Sequence, residues 1–201
     1  MSEVFIIDAI RTPIGSFLGQ YKKTDAVDLG SLCVEGRYNR NKNLNKKHVE
    51  GLILGQVLTA GLGMNTARQV LLKSELSQNS FAYCVNQVCG SGMRAVMETA
   101  LKIKSNENQL LVAGGQESMS LARHTSLQRV VTKLGHDMMT DSILSEGLTD
   151  VFSKDHMGIT AENVARRYKV TRLEQDEFAF HSYKKAYNAL KKNYFKNDLQ
   201  I

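Results

Sequence analysis

The chain has 201 residues, 42% hydrophobic and 23% charged, with no run near the roughly 18 consecutive apolar residues of a membrane span. That balance is ordinary for a soluble globular protein, offers no helical membrane span, and fits one domain, or one domain with an appended subdomain. The net charge of +6 is uneven: residues 166–201 hold nine Lys/Arg against four Asp/Glu, a basic end suited either to phosphates and acidic partners or to a solvated helix face. Three cysteines (Cys33, Cys84 and Cys89), none in C-x-x-C spacing, make no disulfide framework and fit reduced thiols in a reducing compartment.

Val4-Phe5-Ile6-Ile7 reads as a strand buried on both faces. Neither a secretory signal nor a transit peptide precedes it, so the cytoplasm is expected. Arg11–Phe17, holding the only proline, Pro13, reads as a loop. Asp25 is placed to cap a helix with Leu29, Leu32, Cys33 and Gly36 on one side. The polar run from Asn39 to Lys47 reads as an exposed connection. Gly51–Leu58 is a second strand, and Asn65-Thr66 caps a short helix carrying Ala67, Val70 and Leu71. Phe81–Val85 is a third strand, followed by a Gly-Ser-Gly turn and a helix with Met93, Val96, Met97 and Ala100 on one stripe. Leu110–Ala113 is a fourth strand, ending at Gly114-Gly115.

Strands alternating with helices at this spacing predict an α/β fold, a mostly parallel sheet covered by helices. Active sites in such sheets collect at the C-terminal ends of strands, where Cys89 and Gly114-Gly115 both fall. Residues 118–155 read as an irregular, loop-rich insertion. Two helices close the chain. Met157, Ala161, Val164 and Tyr168 share a face of the first. The second opens with a Thr171/Glu174 capping box, and its stripe of Ala179, Tyr183, Ala186 and Leu190, flanked by Phe180, Tyr187 and Tyr194, reads as core.

Cys89 carries the chemistry. Between an apolar strand and a helix beginning near Gly90-Ser91-Gly92, its sulfur lies near unpaired backbone N–H groups and the positive end of the helix dipole, which favour a thiolate. Gly90 and Gly92 leave room for a sharp turn and for a substrate close to the backbone. Attack of that sulfur on a thioester yields an acyl-enzyme. A buried, inert cysteine is the alternative that local chemistry leaves open. Cys33 and Cys84 lie within helix and strand patterns and read as structural.

Asn86-Gln87-Val88-Cys89-Gly90-Ser91-Gly92-Met93 resembles the nucleophile motif of thiolases, the enzymes that condense or cleave acyl-CoA. Further segments follow the family's order and spacing: Asp8–Gly15, Gly63–Gln69, Ala113–Ser120 and His156–Ala165. The resemblance implies two similar βαβαβαββ halves, with a coenzyme A-gripping loop domain inserted in the first. Residues 1–118 then form an incomplete N-terminal half-domain without its last strand, and 119–201 the front part of the loop domain. Cys89 is implied as the acylated nucleophile, with Leu148, His156 and Met157 lining the pocket for pantetheine and acyl group. For His156, a loop histidine bonded to nearby backbone is the alternative.

His156-Met157-Gly158 is similar to the branch that forms acetoacetyl-CoA from two acetyl-CoA, or runs the reverse thiolysis. The substrates implied are acetyl-CoA and acetoacetyl-CoA, with no permanently bound cofactor and no metal. Partners implied are a homo-oligomer or a complementary C-terminal thiolase half, with no nucleic acid and no membrane. Departures from the family pattern are Thr66 in place of proline, Gly90 where alanine is common, and Leu121-Ala122-Arg123 in place of an Ala-Pro-Tyr-like segment. The family's proton-transfer groups lie in Asn-Glu-Ala-Phe, Gly-His-Pro and Cys-x-Gly-Gly segments that do not occur here, so the isolated chain is expected to turn over negligibly. The alternative function is a non-catalytic relic or an acyl-CoA-binding module. A condensing enzyme of fatty-acid synthesis shares the cysteine but not the Gly-Gly-x-Glu-Ser-Met or His-Met-Gly motifs.

Overall fold

A computed structural model describes residues 3–40, 44–127, 129, 134–196, 198 and 199. Two compact units result, Met1–Gly147 and Leu148–Leu199. Of the connection expected over 39–47, residues 41–43 lie outside the described ones, as do 128 and 130–133 of the irregular segment.

The first unit is built on three parallel strands, β1 (Gly51–Gly55), β2 (Phe81–Val85) and β3 (Leu111–Gly115), in the order β2-β1-β3. Gly55 pairs with both Val85 and Gly115, so the three strands end level. The sheet's two faces alternate along β1. Leu52 and Leu54 face a cluster formed by Val27, Val34 and Tyr38 of α1 (Ala26–Arg40) and Ala67, Val70 and Leu71 of α2 (Thr66–Lys73). Ile53 and Gly55 face α3 (Ser91–Lys104) on the opposite side. Leu52, Ile53 and Leu71 are fully buried, and each contributes about 1.5–3 kcal/mol relative to exposure. Tyr83, level with Ile53, donates from its hydroxyl to Glu98 of α3 at 2.9 Å, and Arg94 donates to the same carboxylate at 2.9 Å. Burial and the Glu98 carboxylate push the Tyr83 phenol up to about 12.

The caps follow local rules. Asp25 Oδ1 accepts from Asp28 N–H at 2.7 Å, and Asn65 Oδ1 accepts from Arg68 N–H at 3.0 Å. Thr66 occupies the first position of α2, where proline is favoured because no intrahelical partner awaits its nitrogen. Threonine replaces that rigidity with a hydroxyl that donates to Gln56 Oε1 at 2.5 Å and lies 3.1 Å from Cys84 Sγ.

Four expectations change. Val4–Ile7 forms no ladder among the described residues, and Phe5 and Ile6 are 71% and 82% exposed, because a strand needs a neighbour that no local pattern supplies. On α1 the expected Gly36 is buried, but its buried companions are Val27, Ser31, Val34 and Tyr38, and Leu32 turns outward. On α3 the stripe of Met93, Val96, Met97 and Ala100 faces away from the sheet, with Met93 67% exposed. Ser91, Ala95 and Thr99 face inward instead, because the glycine-ended strands admit only a helix with small side chains at close range.

The fourth change concerns the second unit. It contains α4 (Met157–Tyr168) and α5 (Arg172–Lys191), opened by the expected Thr171/Glu174 capping box. The shared face of α4 is exposed, and the aromatic stripe on α5, read as core, is exposed as well, Tyr183 by 80%. Among the described residues of this unit, the two helices offer each other one neighbour, too little to cover such a face. The segment read as irregular, 118–155, carries only short elements among its described residues. It holds a two-residue antiparallel ladder between β4 (His124–Thr125) and β5 (Thr140–Asp141), then a π-helix over Ile143–Leu148. Among the described residues no helix is long and apolar enough to cross a membrane.

Candidate active site

Cys89 follows β2 and immediately precedes Gly90, the N-cap of α3. It is exposed, whereas Cys33 and Cys84 are half-buried. Gly90 supplies no side-chain cap, so the first-turn N–H groups beside Cys89 lack the acceptor that a Ser or Asp cap would give. The sharp turn is not made by the glycines. Gly90 has an ordinary φ of −86°, and the left-handed residue is Val88, at φ +48°.

The turn is tied on both sides. Asn86 Oδ1 accepts from Val88 N–H at 2.9 Å, and Gly90 N–H donates to Gln87 O at 2.9 Å. Ser91 Oγ accepts from Gln87 N–H at 2.8 Å and donates to Val88 O at 2.6 Å. Beneath the turn, Gly55 comes so near α3 that a Cβ there would meet the Ser91 carbonyl carbon at 2.3 Å. The exposed thiol thus sits on a backbone held from the sheet side.

Polar side chains fill the space at the strand ends. Buried Gln56 accepts from Gln116 Nε2 at 2.9 Å as well as from Thr66. Glu117 Oε2 accepts from Val57 N–H at 2.9 Å and Leu58 N–H at 3.2 Å, tying the loop after β1 to the end of β3. Burial pushes the Glu117 carboxyl above its ordinary 4.5, and the N–H donors from Val57, Leu58 and Ser118 only partly oppose this. A raised carboxyl favours the protonated fold, so its stabilising contribution is complete below pH 4.5 and fades as pH rises through the folded value. Thermal unfolding followed from pH 4.5 upward is expected to show a falling component in the unaltered chain that Glu117→Gln lacks. Parallel pH curves for the two proteins would show that Glu117 is not the group responsible.

Leu148, His156 and Met157 belong to the second unit, and the structure brings them together. Thr149 bridges to His156, and Asp150 N–H donates to Asp155 O at 2.9 Å, so the segment folds back with Leu148 and Met157 beside the bridge. His156 is the N-cap of α4, and its Nδ1 accepts from Gly158 N–H at 3.0 Å. The backbone-bonded histidine reading therefore describes one ring nitrogen. Arg123, unexplained by sequence, lies over Gly61, where a Cβ would meet its Cγ and Nε at 3.2 Å. Gly61 has a φ of +70°, which a side chain rarely adopts.

A family model described as the N-terminal domain of thiolase matches residues 4–200. The chain belongs to the thiolase N-terminal domain family. This thiolase chain is 42% identical over 199 residues to the acetyl-CoA acetyltransferase of Paracoccus denitrificans, covering 99% of itself and 51% of that protein. It is 44% identical over 197 residues to an acetyl-CoA acetyltransferase of Escherichia coli K12, covering 97% and 50%. Among solved structures, the Acat5 thiolase of Ascaris suum in complex with coenzyme A superposes with a TM-score of 0.89 at 35% identity, over 94% of this chain and 49% of that one. The thiolase chain therefore spans about half the length of the relatives it matches, and its parallel sheet with covering helices is the thiolase N-terminal fold.

The sequence alone does not single out four contributors in this thiolase chain: the Ser91 hydroxyl, Gln56, the Thr66 hydroxyl and Glu117. Ser91, Thr66 and Glu117 stand inside the quoted motifs, and Gln56 within the second apolar run. Only their bonding partners, across a turn and across the sheet, reveal what they hold.

Proposed function

We propose that this chain forms an acetyl-enzyme on Cys89 from acetyl-CoA, as the nucleophile-bearing half of a thiolase. The Cys89 thiolate bonds to the carbonyl carbon of the thioester, the carbon–sulfur bond to coenzyme A breaks, and coenzyme A leaves as a thiolate that takes a proton from solvent. The observation that carries this reading is the exposed thiol at an uncapped helix N-terminus, on a turn fixed from beneath. Leu148, His156 and Met157 line the pocket for pantetheine and the short acyl group. Coenzyme A is exchanged as substrate, and no resident cofactor or metal takes part. Residues 1–118 act as the half-domain, residues 119–201 as the front of the coenzyme A-binding loop domain, and the site of action is the cytoplasm.

Condensation of a second acetyl-CoA to acetoacetyl-CoA, or the reverse thiolysis, needs a base for the attacking methyl group and oxyanion donors. Each positioned acid–base group contributes about 10²–10⁴-fold. Those groups come from a complementary C-terminal half, and a homo-oligomer completes the assembly. The exposed stripe of α3 around Met93 and Met97 supports a protein partner of that kind.

The same stripe also suits a non-catalytic relic that only binds. One experiment separates the two readings. The chain is incubated with acetyl-CoA, with and without a thiolase C-terminal half, and mass spectrometry locates any acetyl group. An adduct on Cys89 that grows with the complement supports the split enzyme, and no adduct under either condition leaves the relic.

A further inference from the structure

We infer that Ser91 is a positioning residue for Cys89: its buried hydroxyl locks the left-handed turn at Val88 that presents the thiol. This inference rests on the acyl-transfer reading, and its observations concern the backbone beneath the sulfur. Val88 is β-branched at φ +48°, a conformation that such residues avoid because Cβ crowds the backbone. The residue is 48% exposed, so core packing does not hold it there. What holds it is polar. Ser91 Oγ spans the turn from Gln87 N–H to Val88 O, and Ser91 N–H donates to the same Val88 oxygen at 3.1 Å.

The hydroxyl is itself fixed. Ser91 is only 4% exposed, and the end of β1 at Gly55 presses on its backbone, so it cannot readily exchange these partners for water. Without the hydroxyl, the Gln87 N–H loses its acceptor and Val88 relaxes toward negative φ. The peptide joining Val88 to Cys89 then rotates and carries the thiol away from its present position.

The test uses the full chain and two probes, iodoacetamide and acetyl-CoA. Ser91→Ala is expected to slow acetylation of Cys89 by about 10²-fold, the scale of a misplacement near 1 Å, and to slow alkylation by the small reagent less. Val88→Gly introduced into Ser91→Ala is expected to recover most of the lost rate, because glycine adopts positive φ without a crowded Cβ. A merely structural defect would slow both probes alike, in step with lost stability, so unequal slowing of acetylation and alkylation is the mark of a positioning role. Hydrogen exchange on the unaltered chain gives a second reading that needs no folded variant: the Gln87 amide is expected to exchange at least about tenfold slower than an unstructured amide.

A Ser91→Ala chain that reacts like the unaltered one, a double variant with no recovery, or an unprotected Gln87 amide each overturns the clamp alone. An unaltered chain whose Cys89 reacts with neither probe overturns the acyl-transfer reading and the clamp together.

Discussion

Cys89→Ala is expected to remove the acetyl adduct completely while changing the stability of the chain by no more than about 0.5 kcal/mol. Both halves of that expectation follow from the turn. The bonds that shape it come from the Asn86 and Ser91 side chains and from the backbone of Gln87, Val88 and Gly90. The Cys89 thiol makes none of them and is exposed, so truncating it opens no cavity and orphans no buried donor. The other two thiols serve as internal controls. Burial pushes the Cys33 thiol above its ordinary 9.0, which keeps it protonated near neutrality. Cys84 is half-buried and lies 3.1 Å from the Thr66 hydroxyl. Peptide-level mass spectrometry after exposure to acetyl-CoA and a C-terminal half reads all three positions at once. An acetyl group that persists in Cys89→Ala, or that sits mainly on Cys33 in the unaltered chain, would sink the assignment of the nucleophile.

The sequence was legible wherever structure is decided within a few residues. Asp25, Asn65 and Thr171 with Glu174 announced three helix starts, because a cap needs only its own next turn. The apolar runs that became β1, β2 and β3 were found, although Gly51–Leu58 shortened to Gly51–Gly55. What was not legible depends on partners distant in sequence. The buried face of α3 is chosen by glycines on β1 and β3, which exclude the bulky stripe that hydrophobicity alone favours. Val4–Ile7 has the composition of a buried strand, yet composition does not supply the adjacent strand that would bury it. At the site, Cys89 stood out by motif and position, while the hydroxyl, amide and carboxylate groups that fix the strand ends emerged only with the sheet's register.

The closeness of β1 to α3 sets a second large effect, and its sign reverses between two glycines. Gly55→Ala is expected to destabilise the first unit by about 3 kcal/mol or more, the upper range for overpacking a close-packed interior. The added Cβ would stand 2.3 Å from the Ser91 carbonyl carbon, 2.4 Å from Gly92 N and 2.6 Å from Ser91 O. All three are backbone atoms, so no side chain can rotate out of the way. Relief requires sliding the start of α3 off the sheet or breaking the ladder that pairs Gly55 with Val85 and Gly115. Gly92 is the opposite case. It lies inside α3, and a Cβ there would come no nearer than 3.8 Å to Gly115 Cα, an ordinary contact. Gly92→Ala is therefore expected to stabilise the chain by about 0.4–1 kcal/mol, since alanine reduces the freedom of the unfolded chain without strain in the helix. Urea midpoints for both variants check the pair. Equal midpoints would mean that the strand and the helix do not approach as closely as the three glycines at this junction indicate. The turn carrying Cys89 would then lose the support from beneath on which its position depends.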